Sequence, residues 1–277
     1  MPPPALLQGC KLREAFARDQ GASLGLWQCL PGANVSRTLA RAEGVDWVLV
    51  DCEHGNIDDA AMHDAVPAIA ACGPSPIVRI PDMQGWMIKR ALDAGAHGVL
   101  VPLLRTVDEA KSVVAAAKFP PQGRRGLGSP FSMERFTPVP TMTEYLQRAN
   151  DSLLTMVQIE TAEALEAVDE IAAVPGIDVL FIGPFDLGNN IGFPILDGVM
   201  QPQLDNAIER VFEAAKKAGK KCGVFTTSTE QARVYAEKGY HMISIGLDVS
   251  ILQAALPGRV EAVRGTTASG GKGGYYG

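Results

Sequence analysis

A chain of 277 residues, 47% hydrophobic and 20% charged, is long enough to bury one large core or two small ones and has the composition of an ordinary soluble protein. Its net charge of −6, with no basic run longer than "KK" or "RR", excludes a general field for nucleic acid or an anionic membrane. The five cysteines (Cys10, Cys29, Cys52, Cys72, Cys222) are irregularly spaced without a CxxC pair, which argues against a disulfide framework and a zinc knuckle, and no window approaches the roughly 20 apolar residues of a membrane span.

In chain order, the start "MPPPALLQGCKLREAF" lacks the charged opening and apolar stretch of a signal peptide, so a cytoplasmic protein is expected. Eight apolar runs then follow, at 23–29, 46–52, 76–81, 98–104, 153–160, 178–183, 221–227 and 241–246. Most are nearly unbroken, as in parallel strands covered on both faces, and the gaps between them have helical period. "TVDE" from Thr106 and "STEQ" from Ser228 match the capping-box pattern, and Gly95, Gly219 and Gly239 mark helix ends. This alternation predicts a (β/α)8 barrel. A doubly wound open sheet is the runner-up, and it loses ground because the chain has no GxGxxG after its first strand and no GxxxxGK[ST]. Residues 1–264 read as a single barrel domain. Residues 119–150 form a connection too long for a simple link and are expected to be functional or interfacial, and the glycine-rich tail 265–277 is expected to be flexible.

In such a barrel the chemistry sits at the carboxyl ends of the strands. There the second strand ends in Asp51, Glu53 and His54, the third carries Arg79, the fifth ends in Gln158 and Glu160, and the sixth runs into Asp186. Glu160 and Asp186, on adjacent strands, suit a hard divalent cation with open positions, which can polarise the carbonyl of a 2-oxo acid. Arg79 would stabilise an enolate oxygen, and His54 would carry a proton with Asp51 or Glu53 orienting its ring. Backbone amides at the start of a short helix around Asp186 would favour a substrate carboxylate. Taken singly, each of these groups has a bland reading as a strand-end cap or salt-bridge partner, and it is their convergence that favours a site. Trp27 suits mouth lining or packing equally. Asp93 reads as a helix-end residue, or as one reaching His54 of a neighbouring subunit. His63, His97 and His241 read as structural. Arg124 and Arg125 suit an anionic aldehyde, a subunit contact or solvent equally.

The motifs "GLW" (25–27), "VDWVLVDCEHG" (45–55), "VRIP" (78–81), "LDAGAHGVLVP" (92–102), "PPQGRRG" (120–126), "VQIET" (157–161), "FIGPFDLG" (181–188) and "GLD" (246–248) resemble those of the HpcH/HpaI aldolases, within the phosphoenolpyruvate- and pyruvate-binding barrels. The resemblance runs from about Gly25 to Asp248 and departs from the family pattern at "FSMERFTPVP", next to the expected aldehyde pocket, and at "DLG" where the family has "DLS". It implies a class II aldolase using Mg²⁺, Mn²⁺ or Co²⁺, with Glu160 and Asp186 as metal ligands, Arg79 on the keto oxygen and His54 with Asp51 as an acid–base dyad. Gln158 would lie near the bound pyruvate, whose carboxylate would meet the amides around Phe185 and Asp186. The resemblance also implies a homo-oligomer, a hexamer or trimer, in which the last helix packs on a neighbouring barrel and Asp93 acts across an interface.

The reaction implied is cleavage or formation of 4-hydroxy-2-oxo acids through a pyruvate enolate, with oxaloacetate decarboxylation passing through the same enolate; the partners are a small 2-oxo acid and an aldehyde. A macrophomate synthase-like decarboxylating condensation, a citryl- or malyl-CoA lyase with Arg124 and Arg125 on the CoA phosphates, and a non-catalytic metal-binding barrel are the alternatives.

Overall fold

The structure is a computed structural model that describes residues 9–18 and 21–265. The parallel strands β1 (Ser23–Gln28), β2 (Trp47–Asp51), β3 (Ser75–Arg79), β4 (Gly98–Val101), β5 (Leu154–Ile159), β6 (Val179–Ile182), β7 (Lys221–Phe225) and β8 (Met242–Leu247) close into a barrel in chain order. Each pairs in parallel with its neighbour, so helices must carry the chain back across the outside. Before β1 stands α1 (Lys11–Arg18). The outer helices are α2 (Ala33–Ala40), α3 (Asp59–Ala70), α4 (Gly85–Asp93), α5 (Val107–Ala117), α6 (Met142–Ser152), α7 (Ala162–Glu166), α8 (Val168–Ala173), α9 (Pro184–Asn190), α10 (Pro202–Lys217), α11 (Thr229–Glu237) and α12 (Asp248–Arg264).

All eight predicted strands are present. β4 stops at Val101, short of the predicted 104, because Leu103 takes a left-handed backbone with φ 52°. The Thr106 capping box forms in full. At Ser228 only half forms: the hydroxyl accepts from Gln231 N, but the Gln231 side chain takes the amide of Thr227. Gly95, Gly219 and Gly239 end their helices at φ 95°, 67° and 92°.

Strand alternation divides the core in two. Val48 and Val50 of β2 join the layer beneath the helices. Trp47 and Leu49 point inward and meet Ile77, Leu154, Met156, Phe181 and Met242 in the barrel interior. Gly25 faces Trp47 across the β1–β2 register, and a Cβ there would lie 2.0 Å from the indole, so only glycine admits that ring. The amino-terminal end of the barrel is plugged by α1, a helix not read from the sequence. Its Leu12 and Phe16 enter the interior cluster, Leu12 N donates to Ser75 Oγ at 3.0 Å, and Arg13 Nη1 pairs with Asp178 Oδ1 at 2.8 Å.

The 119–150 segment folds outside the barrel. Phe136 stacks on the buried His97 ring with centroids 4.4 Å apart, and Phe119 and Tyr145 pack with it in the outer core. His97 is a structural histidine: Nδ1 faces Ser75 Oγ, Nε2 faces Arg135 O at 2.7 Å, and burial pushes its pKa down to about 4. Only the first turns of α12 touch the barrel, and Leu252, Leu256, Val260 and Val263 farther along are exposed. Among the described residues no helix is long and apolar enough to cross a membrane. The tail from residue 266 lies outside the described residues.

Candidate active site

The inward series of β2, β3 and β5 each end, at the carboxyl terminus, in a polar group. On β2 the sequence Trp47, Leu49, Asp51 turns from apolar to acidic. On β3, Ile77 gives way to Arg79, and on β5 Leu154 and Met156 give way to Gln158 and, just beyond the strand, Glu160. Trp27, Asp51, His54, Arg79, Gln158, Phe185 and Asp186 all line one cavity of about 490 Å³.

Asp51 and Arg79 are register partners on adjacent strands, and this places the acid against the guanidinium. Asp51 Oδ1 accepts from Arg79 Nε at 2.9 Å and from the backbone amides of Glu53 and His54; Oδ2 accepts from Arg79 Nη2 at 2.5 Å and Trp27 Nε1 at 3.0 Å. Burial works to raise the Asp51 carboxyl, but the Arg79 hydrogen bonds and charge, helped by Trp27, outweigh it and hold the pKa below the usual carboxylate range. Arg79 Nη1 lies 2.9 Å from Glu53 Oε2, and the guanidinium carbon sits 5.1 Å from the Trp27 ring centre. Desolvation opposes the Arg79 charge, but Asp51, Glu53 and Glu160 overcome it and raise its pKa. Two of its five N–H groups donate to Asp51, while Nη1 faces Glu53 Oε2 as an ion pair without a hydrogen bond.

The structure separates the two acids beside His54. Asp51 meets His54 through the backbone amide, whereas the imidazole Nε2 faces Glu53 Oε2 at 3.9 Å with its side chain 59% exposed. Burial raises the Glu53 pKa against the pull of Arg79 and His54. Asp93 does not reach this cavity: at the end of α4 its Oδ1 accepts from Arg125 Nη2 at 2.9 Å. Arg125 is buried against the Phe119 ring, and no residue of 119–150 lines the cavity.

Glu160 is buried beneath the cavity wall. Its Oε1 accepts from Leu103 N at 2.8 Å and its Oε2 from Gln158 Nε2. Burial chiefly, and then the Asp186 charge, push its carboxyl up to about 7 against the Leu103 hydrogen bond. A Cβ on Gly183 would come within 2.3 Å of Glu160 Oε2, so any side chain where β6 meets α9 would push the Glu160 carboxylate and Gln158 amide aside. Among the described residues no group of three or more His, Cys, Asp or Glu gathers into a metal cluster. The pair Glu160 and Asp186 nevertheless fits a hard cation that keeps open positions. Both are oxygen donors, Glu160 is a buried carboxyl beside the Asp186 charge, and Gln158 Oε1 is buried on the same wall with no hydrogen-bond partner among the described residues.

Sequence reasoning did not pick out the rest of the lining. Cys29, Phe225, Leu247 and Val249 complete the cavity on the β7, β8 and β1 side. Their signal was the position of each at or just past a strand end. Asp248, quoted in "GLD", closes that side from behind: its carboxylate accepts from the amides of Cys29, Leu30 and Val249. Leu103, with its left-handed backbone aimed at Glu160, carried no signal at all.

A parallel barrel whose carboxyl end gathers acids, an arginine and a histidine into one cavity has the architecture of a (β/α)8 enzyme. The model of one family, HpcH/HpaI aldolase/citrate lyase, matches residues 24–255. The chain is similar to a hydroxypyruvate/pyruvate aldolase of Agrobacterium fabrum, 35% identical over 82% of this chain and 84% of the relative. It is also similar to a 2-dehydro-3,6-dideoxy-6-sulfogluconate aldolase of Pseudomonas putida, 34% identical over 91% and 96%. Among solved structures, an HpcH/HpaI aldolase/citrate lyase family protein from Burkholderia cenocepacia superimposes with a TM-score of 0.79 at 36% identity, covering 89% of this chain and 95% of that one. The chain belongs to the HpcH/HpaI aldolase/citrate lyase family, and it is an enzyme of that aldolase/lyase class.

Proposed function

We propose that this enzyme is a divalent-metal-dependent aldolase that cleaves or forms 4-hydroxy-2-oxo acids through a pyruvate enolate and also decarboxylates oxaloacetate. The observation that carries the reading is the buried Arg79 guanidinium, held by two hydrogen bonds to Asp51, with its Nη1 not hydrogen-bonded among the described residues, in a cavity that also receives Gln158 and Asp186. A fixed cation in a site shielded from water stabilises the oxyanion of an enolate without reorganising as charge develops.

Glu160 and Asp186 are the residues that would hold Mg²⁺, Mn²⁺ or Co²⁺, and the ion, when bound, supplies Lewis acidity toward the oxygens of a 2-oxo acid. Arg79 holds the keto oxygen. Gln158 and the amides of Phe185 and Asp186, in the first turn of α9, orient the carboxylate end. His54, at the exposed edge of the cavity, takes the proton from the 4-hydroxyl as the C3–C4 bond breaks and the aldehyde departs. Glu53, the acid that its ring faces, stabilises the imidazolium, while Asp51 acts indirectly by fixing Arg79 and Trp27. Protonation at C3 of the enolate then yields pyruvate. Oxaloacetate loses CO₂ to give the same enolate, so one set of residues serves both activities.

The exposed apolar residues along α12 support a homo-oligomer, a hexamer or trimer, in which that helix packs on a neighbouring barrel and Asp93 acts across the interface. The described barrel is then one domain of a cytoplasmic enzyme. The test of the reaction is deuterium exchange into the pyruvate methyl group, followed by NMR in D₂O with each metal and with EDTA. Metal-dependent exchange that is lost in Arg79→Ala supports the reading; no exchange from folded, metal-supplied protein rules it out.

A further inference from the structure

The last strand breaks its own alternation. Met242 and Leu247 of β8 both enter the interior cluster although they stand an odd number of positions apart, which a strict two-residue period forbids. The register with β1 shows where the phase slips: Gly25 pairs with Ser244 and Trp27 with Leu247, so β8 takes one step more than β1 between these pairs. An extra residue of this kind re-aims the side chains beyond it. Here it leaves Leu247 lining the cavity and turns Asp248, the first residue of α12, onto the backbone at the end of β1.

Asp248 is buried, and backbone amides take up its carboxylate. Cys29 N donates to Oδ2 at 3.0 Å, Leu30 N to Oδ2 at 2.9 Å and Val249 N to Oδ1 at 2.7 Å. A carboxylate out of water needs such donors, and it fixes in turn the peptides that supply them. The Cys29–Leu30 peptide is held from its other side by the loop that carries Glu53 and His54. Its N–H is the one on Asp248, and its carbonyl accepts from Asn56 N at 3.0 Å. A Cβ on Gly55, the residue after His54, would lie 3.1 Å from the Cys29 Cα, so the loop rests directly on that peptide. All of these contacts lie within one chain, and they join the start of the last helix to the edge of the cavity where His54 stands.

We propose that Asp248 is a positioning residue for the proton transfer: through the Cys29–Leu30 peptide it fixes the loop over residues 51–56 and so the place of His54 at the substrate 4-hydroxyl. The proposal rests on the reading of His54 above and adds the residue that holds its loop. In cleavage the 4-hydroxyl proton passes to His54 while the electron pair of the C3–C4 bond passes into the enolate and the aldehyde leaves. Oxaloacetate has no 4-hydroxyl; the pair of its C3–carboxylate bond passes into the same enolate as CO₂ leaves, and no base is needed. The two activities therefore draw on Arg79 alike and on His54 unequally, and loss of Asp248 should separate them.

The experiment uses the full-length enzyme with Mg²⁺ and measures kcat and KM for decarboxylation of oxaloacetate and for cleavage of 4-hydroxy-2-oxopentanoate, or of 4-hydroxy-2-oxoglutarate where that is cleaved faster. Asp248→Ala should lower kcat for cleavage by about tenfold to a hundredfold and kcat for decarboxylation by no more than about threefold, the direction also expected of His54→Ala. Asp248→Asn keeps an acceptor oxygen for the amides and should lose only about threefold, in cleavage alone; it decides the question if the alanine variant does not fold. Amide hydrogen exchange of the metal-free protein, followed by mass spectrometry, should quicken in Asp248→Ala over residues 51–56 and stay unchanged over 154–159. Equal loss of the two activities, or unequal loss with exchange at 51–56 unchanged, overturns the positioning role alone. An unaltered enzyme that decarboxylates oxaloacetate but cleaves neither hydroxy acid sinks the His54 reading with it, and one that does neither sinks the enolate reading.

Discussion

The two ends of the barrel are made by the same inward alternation and come to opposite results. At the amino-terminal end the inward residues are Trp47, Leu154 and Met242, and α1 seals them with Leu12 and Phe16. At the carboxyl end the same rows continue into Asp51, Arg79, Gln158 and Glu160, and a cavity remains. The first end stores burial energy and the second holds charges that are stable only because they hold one another. Damage to the plug should therefore be felt as stability, and damage to the mouth chiefly as chemistry.

The largest effect expected is at the mouth. Arg79→Ala removes the cation from the proposed enolate oxygen, and pyruvate methyl exchange should fall at least a hundredfold, and up to about a thousandfold, by NMR. It also leaves Asp51 buried without its partner, so the melting temperature should drop with a cost of about 3–5 kcal/mol. Glu160→Gln should instead fold normally while losing divalent-cation affinity, measured by calorimetry, together with turnover.

At the plug, Phe16→Ala should cost about 3–5 kcal/mol in denaturant unfolding and leave kcat/KM of the remaining folded enzyme within a factor of about two. An activity loss as large as that of Arg79→Ala would break the division between the two ends.

A smaller effect is set by pH. The Glu160 carboxyl is raised to about 7 from an unfolded value near 4.5, so between these limits the folded protein binds the proton that the unfolded chain has released. Metal-free protein should lose stability as pH rises from about 5 to 7.5, by at most about 3 kcal/mol, and Glu160→Gln should flatten that slope. Below pH 7 the affinity for Mg²⁺ or Mn²⁺ should weaken by up to about tenfold per unit, because the cation competes with the proton for the same carboxylate.

The smallest effect expected is that of Thr106→Ala, which removes the α5 cap on the rim but away from the cavity. It should cost about 1 kcal/mol of thermal stability and leave exchange unchanged. This variant asks whether the carboxyl end is catalytic as a whole or only where its side chains meet.

Much of this was legible before any folding. Near-continuous apolar runs bounded by glycine and capping residues marked the strands and helix ends, because backbone burial and capping are local requirements. The missed α1 is short and amphipathic, and it is held by contacts with strands far along the chain, Ser75 and Asp178 among them. The 119–150 segment was expected to be functional or interfacial, with its "FSMERFTPVP" stretch beside the aldehyde pocket. Its aromatic residues instead draw it to His97 and the outer core, away from the cavity.

Within the site, sequence order put Asp51 three residues from His54 and gave no reason to prefer Arg79 as its partner. The β2–β3 register makes that choice, since it sets Asp51 opposite Arg79 while the chain beyond Asp51 turns out and leaves the His54 ring to Glu53. The sequence by itself determined which strands form, which residues point inward and that their carboxyl ends are rich in acids, for these follow from a two-residue period and local caps. Only the tertiary structure decided which of those groups touch, and that an apolar arc from β7 to β1 faces a charged one from β2 to β6, because closing the barrel is what brings the first and last strands side by side.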